Sequence, residues 1–373
     1  MSGVRHLYVH LPFCAHRCGY CDFVTLVGRE DGHGAYVDAL LAELRVEASL
    51  LADEVETIYL GGGTPTFTEP GALGRLLEAL PIGPSAEVTV EANPETVTPA
   101  LASLLRRHGA TRVSLGAQSF RPDLLALLER RATPAVVRSA FYHLRDAGFD
   151  NISLDLVYGI PGQSASDLHR DLAEAIALGP EHLSCYELEA KPGTRFTHAH
   201  GEELARQADA MEGYFEVVVE TLRGAGYRWY ETANFCRAGR LARHNVAYWL
   251  GRDYLGIGIG AVSTVAGLRW RNRPSLGGYM AALAEGRRPP REEEPLPPEI
   301  KHRERLMLGL RLDEPVPLAE VESAVDGSGL ARMEQLGLAR RTAGGLTLTT
   351  RGRFLGGGVT AALLAESPAK STI

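Results

Sequence analysis

Apolar positions over the first 190 residues follow two alternating rhythms. Leu7, Val9 and Leu11 alternate with polar neighbours and predict a half-buried strand that Pro12 ends. Residues 35–53 instead carry Val37, Leu40, Leu41, Leu44, Ala48 and Leu51 at helical spacing. The exchange then repeats. Strands are predicted at 56–60, 86–92, 111–117, 151–158 and 182–189, and helices at 70–80, 98–109, 121–130, 134–147 and 165–178. Strand followed by helix, over and over, predicts right-handed βαβ units on a parallel sheet, an α/β fold that a partial (β/α)6 barrel satisfies. Chemistry in barrels of this kind sits at the C-terminal ends of the strands.

Beyond residue 200 the rhythm changes. A helix at 202–225, a strand at 227–235 and the apolar run 253–265 predict an extension over 201–285, packed beside a barrel that occupies 1–200. Residues 286–298, GRRPPREEEPLPP, have no period and are rich in proline and charge, which predicts a linker. From 299 to 373 the pattern gives helices near 299–311, 317–325 and 328–336, then a hairpin with Gly344 and Gly345 at its turn, a winged-helix-like helical domain. Winged helices often bind DNA, but nine Lys/Arg against seven Asp/Glu over 301–353 make no basic stripe, so no nucleic-acid partner is expected.

Composition narrows the class. With 373 residues, 45% of them hydrophobic, the chain can bury a sizeable core. Its net charge of −7 argues against a general polyanion binder. No window approaches 18 consecutive apolar residues, and residues 1–13 lack the features of a signal peptide, so a cytoplasmic protein without a membrane span is expected. Three of the five cysteines cluster, which fits a reducing compartment, while Cys185 and Cys236 lie on apolar segments and are expected in the core.

The chemistry concentrates where the first strand ends. Cys14, Cys18 and Cys21 are spaced Cys-x3-Cys-x2-Cys. Three thiolates can hold three irons of a [4Fe–4S] cube and leave the fourth iron open as a ligand-binding site. A zinc site completed by His10 or His16 and a set of unligated structural thiols are the alternatives, whereas an odd number of cysteines suits a disulfide framework badly. Polar residues stand at other predicted strand ends: Gly62, Gly63 and Thr64 in a loop that is either a ligand cradle or an ordinary βα turn, then Glu91 and Gln118. Asp155 interrupts the apolar run ISLDLVYG, and a buried carboxylate there calls for a ligand or an arginine, for which Arg130 is the candidate. The alternative for Gln118, Arg130 and Asp155 is a polar network inside a barrel.

The cysteine spacing after a first strand, with Tyr20 just before the last cysteine, resembles the radical S-adenosylmethionine (SAM) superfamily. LYVHLPFC, YLGGGTPT at 59–66 and LDLVYGIPGQ at 154–163 resemble the oxygen-independent coproporphyrinogen III oxidase group within it. The oxidase proper has a further cysteine where this chain has Phe23, and HNVAYW at 244–249 is similar to the HNxxYW signature of a heme chaperone branch. The resemblance implies a [4Fe–4S] cluster on the three cysteines and SAM bound by Tyr8, Tyr20, Gly62, Gly63, Thr64, Glu91, Gln118, Arg130 and Asp155. It implies heme contacts from His244, Tyr248 and Trp249. It further implies heme carriage to heme-requiring respiratory proteins, with peripheral association at the membrane, or, as the alternative, radical oxidative decarboxylation of coproporphyrinogen III to protoporphyrinogen IX.

Overall fold

The computed structural model describes residues 3–189 and 191–365. Six parallel strands form its centre: β1 (His6–Leu11), β2 (Val55–Gly62), β3 (Ile82–Ala92), β4 (Arg112–Gln118), β5 (Ile152–Tyr158) and β6 (His182–Glu187). They lie side by side in chain order, each bonded in parallel to the next. Between them run α1 (His33–Val46), α2 (Pro70–Ala79), α3 (Pro99–Arg107), α4 (Pro122–Leu127), α5 (Pro134–Asp146) and α6 (Ala165–Leu178). Helices α2 to α5 each begin with proline, whose fixed φ suits a first helical residue. Glu69, Thr98 and Thr133 cap three of them through side-chain oxygens, and Ser164 with Asp167 forms a capping box on α6.

The sheet stays open. A hairpin of β7 (Arg228–Glu231) and β8 (Asn234–Cys236) runs antiparallel beyond β6, and β9 (Leu255–Ile257) pairs in parallel with β1 at the other edge. Residues Tyr59, Glu91, Ser114, Asp155 and Ser184, from β2 to β6, line one cavity, so the sheet curls around it as a partial barrel. The opposite faces of the strands meet the helices in a continuous apolar core that includes Leu7, Val9, Ile58, Val88, Leu115 and Leu154.

Several boundaries differ from the sequence pattern. The helix expected at 202–225 is two, α7 (Arg195–Gln207) and α8 (Met211–Gly224), broken at residues 208–210. The strand expected at 227–235 folds back on itself as the β7–β8 hairpin. α9 (Arg243–Trp249) holds the HNVAYW residues; its N-terminus is capped by Glu87, which accepts bonds from the Arg243 and His244 amides, both 3.1 Å long. The expected linker 286–298 is not irregular throughout. After β10 (Val262–Val265), β11 (Leu268–Asn272) and α10 (Leu276–Ala284), residues Arg291–Pro295 form the exposed edge strand β12 against β11. Glu292, Glu293 and Glu294 face solvent, Arg291 turns over Trp270 to the buried Glu47, and the backbone supplies the pairing.

The C-terminal region packs around its own core of Leu306, Val321, Leu330, Leu346 and Leu363. It contains α11 (Pro298–Gly309), α12 (Gly327–Gln335), the hairpin β13 (Ala339–Thr342) and β14 (Gly345–Leu348), α13 (Thr350–Phe354) and α14 (Gly356–Leu363). The helix expected at 317–325 is instead two single 3-10 turns, separated at Val321, where φ is −139°. Among the described residues, no helix is long and apolar enough to cross a membrane.

Candidate active site at the mouth of the barrel

β1 delivers the chain to Phe13 and Cys14, which pair with Leu26 and Val27 and so close the cysteine loop at its base. Cys14 is buried, Cys18 and Cys21 are partly exposed, and all three line the mouth of a cavity of about 430 Å3. Among the described residues no three His, Cys, Asp or Glu side chains meet at a point, as a single-ion site such as zinc requires. All three thiols open on the same cavity. The loop also has partners of its own. Arg130 Nη1 lies 3.7 Å from Cys18 Sγ, and Thr64 Oγ1 lies 3.5 Å from Cys14 Sγ. A guanidinium and a hydroxyl beside the sulfurs complement thiolate charge. Burial, the larger effect, raises the Cys14 and Cys21 thiols, so it is a bound metal that has to hold them deprotonated. His16, once a candidate fourth ligand, lies 3.5 Å from Glu129, and the His10 ring is bonded to Val24 O and Tyr8 Oη.

The glycine loop after β2 has little freedom. Gly62 sits at φ 111°, and a Cβ at Gly63 would come within 2.5 Å of the Pro12 carbonyl oxygen. The amides of Gly62, Gly63 and Thr64 are all spent, on Glu91 Oε2, Leu11 O and Phe13 O. What Gly62 and Gly63 have left to offer a ligand is carbonyl oxygen, an acceptor suited to an ammonium group.

Glu91 ends β3 facing the cavity. It accepts from Tyr59 Oη at 2.7 Å and from the Gly62 amide at 3.1 Å. Burial pushes its carboxyl up to about 7, and the charge of Asp155 adds to the rise. Asp155, also raised by burial, accepts from Ser114 Oγ at 3.1 Å and Ser153 Oγ at 3.4 Å. The predicted partnership of Asp155 with Arg130 is not formed. Arg130 is spent on Asn93 Oδ1, the Gly116 carbonyl and Cys18. The charge that opposes the desolvation of Asp155 most strongly is Arg112, itself fully buried at the start of β4. Gln118, at the bulge that ends β4, holds a positive φ of 64°, a strained backbone at the cavity wall.

The cavity thus gathers Cys14, Cys18, Cys21, Tyr20, Gly62, Gly63, Thr64, Glu91, Gln118, Arg130 and Asp155, all singled out from the sequence. Tyr8 does not line it; its ring lies behind Tyr59, 6.2 Å away, and its hydroxyl meets His10. Sequence reasoning missed Arg112, Tyr59, Ser114, Tyr186 and Asn245, which complete the wall. The signal was the two-residue period: 112, 114, 116 and 118 fall on one face of β4.

The three heme candidates lie elsewhere. His244 is fully buried beneath the barrel. Its Nδ1 bonds Thr57 Oγ1 and its Nε2 bonds Tyr248 Oη, both at 2.8 Å, and its ring stacks 5.3 Å from Tyr59. Burial pushes its pKa down to about 3. Both ring nitrogens are engaged in this arrangement, by Thr57 and Tyr248. Trp249 packs with Leu312 and Tyr230 under the Arg311 guanidinium. Tyr248 lines a second cavity.

Residues 8–175 match the radical SAM superfamily and residues 296–355 the HemN C-terminal domain. A protein of Mycobacterium tuberculosis H37Rv described as heme chaperone HemW is 38% identical over 369 residues, covering 96% of this chain and 94% of that one. A protein of the same description from Bacillus subtilis 168 is 32% identical and is covered along its full length. The solved coproporphyrinogen III oxidase (HemN) of Escherichia coli superposes with a TM-score of 0.79 at 24% identity over 97% of this chain and 90% of the other, which shows a common fold.

Proposed function

We propose, from the premise that this chain belongs to the HemW family within the radical SAM superfamily, that it is a cytoplasmic heme chaperone built on a radical SAM scaffold. It would bind heme and pass it to heme-requiring respiratory proteins. The observation that carries this reading is identity above 30%, over nearly the whole chain, to relatives of that description. HNVAYW and an exposed Phe23 in place of a further cysteine agree with it.

In this reading the Cys14, Cys18 and Cys21 thiolates hold a [4Fe–4S] cluster, and SAM lies in the cavity behind it. When bound, the cluster supplies one-electron chemistry to SAM at its open iron. The chain's own groups bind and orient. Gly62 and Gly63 carbonyls take up the amino group, Glu91 accepts from the ribose hydroxyls, and Asp155 with its serine partners holds the far wall polar. Tyr20 and Gln118 close the sides, and Arg130 keeps positive charge beside the cluster ligand Cys18.

The decisive experiment is anaerobic reconstitution followed by two assays. Titration with hemin is expected to give one heme per chain. Incubation with SAM, a reductant and coproporphyrinogen III is expected to give no protoporphyrinogen IX. Rapid product formation would replace the chaperone with the oxidase, and failure to take up hemin would remove the chaperone reading.

A further inference from the structure

A second cavity, of about 510 Å3, opens on the other end of the sheet. Tyr254, in its wall, directly precedes β9, whose Leu255 pairs with Leu7 near the start of β1, whereas the cysteine loop follows the end of β1. Its volume lies within the roughly 300–1,000 Å3 usual for small-molecule sites. One side is the HNVAYW helix α9, which offers Tyr248, its ring 4.5 Å from that of Tyr254. The other side is α11 of the C-terminal region, with Leu308 adding apolar surface.

The polar groups are unusual for a chain of net charge −7. Two of the cations in the wall are already paired: Arg269 with Glu304 at 2.6 Å and Arg305 with Glu320 at 2.7 Å. The other two, Arg252 and Lys301, have no ion-pair partner among the described residues. Two unspent positive charges over an aromatic and aliphatic slot fit a flat apolar ligand with two carboxylates. His302 completes the set. Its Nδ1 is bonded to Ser323 Oγ at 2.7 Å, and its Nε2 has no partner among the described residues. An imidazole fixed through one nitrogen, with the other open, is the arrangement of a metal-ligating histidine. His244 offers the opposite case.

We infer that heme binds in this second cavity, against the edge-to-face pair of Tyr248 and Tyr254, with its propionates on Arg252 and Lys301 and its iron on His302 Nε2. The inference rests on the heme-chaperone reading above and gives it a place. It also gives HNVAYW a role in which no residue ligates iron. Tyr248 forms the cavity wall, and His244 ties it to Tyr59 and Glu91 at the SAM-side cavity. One short helix therefore touches both compartments, since Asn245 lines the first and Tyr248 the second.

The test uses the full-length reconstituted chain titrated with hemin and, separately, with iron-free protoporphyrin IX. Arg252→Glu combined with Lys301→Glu is expected to weaken both ligands about ten-fold or more through loss of charge-assisted contacts. His302→Ala is expected to shift the Soret band and weaken hemin while leaving protoporphyrin IX unchanged, a split that a merely structural role would not produce. Circular dichroism checks that each variant folds. If both variants bind hemin with wild-type affinity and spectrum, the heme lies elsewhere and this site is wrong, although the chaperone reading survives. If the wild-type chain takes up no hemin, that reading falls first.

Discussion

His244 makes the sharpest prediction. Its folded pKa of about 3 lies below the unfolded value of 6.5, because burial opposes its charge. The stability tied to this ring is therefore fully present above pH 6.5 and is lost as pH falls towards 3, since only the unfolded chain takes up the proton. At pH 5, about 1.5 units below the unfolded pKa, the loss is about 2 kcal/mol. His244→Gln cannot titrate. At pH 7 it should cost about 1–3 kcal/mol through the bonds to Thr57 and Tyr248. By pH 5 that deficit should shrink by about 2 kcal/mol, because the wild-type chain alone carries the His244 penalty. His182 and His10, whose pKa values burial also lowers, are present in both proteins and cancel. Urea unfolding of both chains at pH 7, 6 and 5 measures this. Parallel pH profiles would mean that the ring is solvated or ligated in solution, and the buried-tie role would be wrong.

The remaining predictions concern the barrel and its mouth. Gly62→Ala places a side chain at φ 111° with its Cβ driven into the His10 ring, so destabilisation of more than the roughly 1–3 kcal/mol of backbone strain is expected, and an unchanged unfolding midpoint would refute it. Glu43 accepts from the Gly258 amide, Asn272 Nδ2 and Tyr279 Oη beneath β9. Glu43→Ala orphans three buried donors and should cost about 3 kcal/mol or more by chemical denaturation, with Glu43→Gln milder. Asp155→Ala is expected to weaken SAM binding by isothermal calorimetry while iron content holds; loss of iron would make the residue structural instead. Cys18→Ser is expected to lower iron per chain with an unchanged far-ultraviolet spectrum, and a collapsed fold would contradict the placement of the loop outside the core.

Most of the parallel sheet was legible because its inward and outward faces differ so plainly. The outward faces of β1 to β6 are mostly Leu, Val and Ile, and three of the helices between them open with proline and a capping oxygen. The cysteine loop and the glycine loop were legible as loops because each follows an apolar strand run that proline or glycine ends. Which polar groups pair inside the barrel was not. A buried carboxylate in an apolar run calls for an arginine, for which the sequence offers Arg130, but Arg112, hidden at the beginning of an apolar strand, supplies the balancing charge. His244 illustrates another limit. Its neighbours Thr57 and Tyr59 lie about 185 residues back in the chain, and nothing local indicates that the ring points inward. The strand at 291–295 escaped notice because an exposed edge needs only backbone hydrogen bonds, which leave no mark in a run of arginine and glutamate.

The cysteine loop bears on the protein's own biogenesis. The strands and helices of the barrel close over a continuous apolar interior to which Cys18 and Cys21 contribute nothing, and the loop is pinned at its base by a two-residue pairing that includes Cys14. In the proposed reading, the barrel could fold first, and iron and sulfide could enter afterwards through the cavity mouth that the three thiols line.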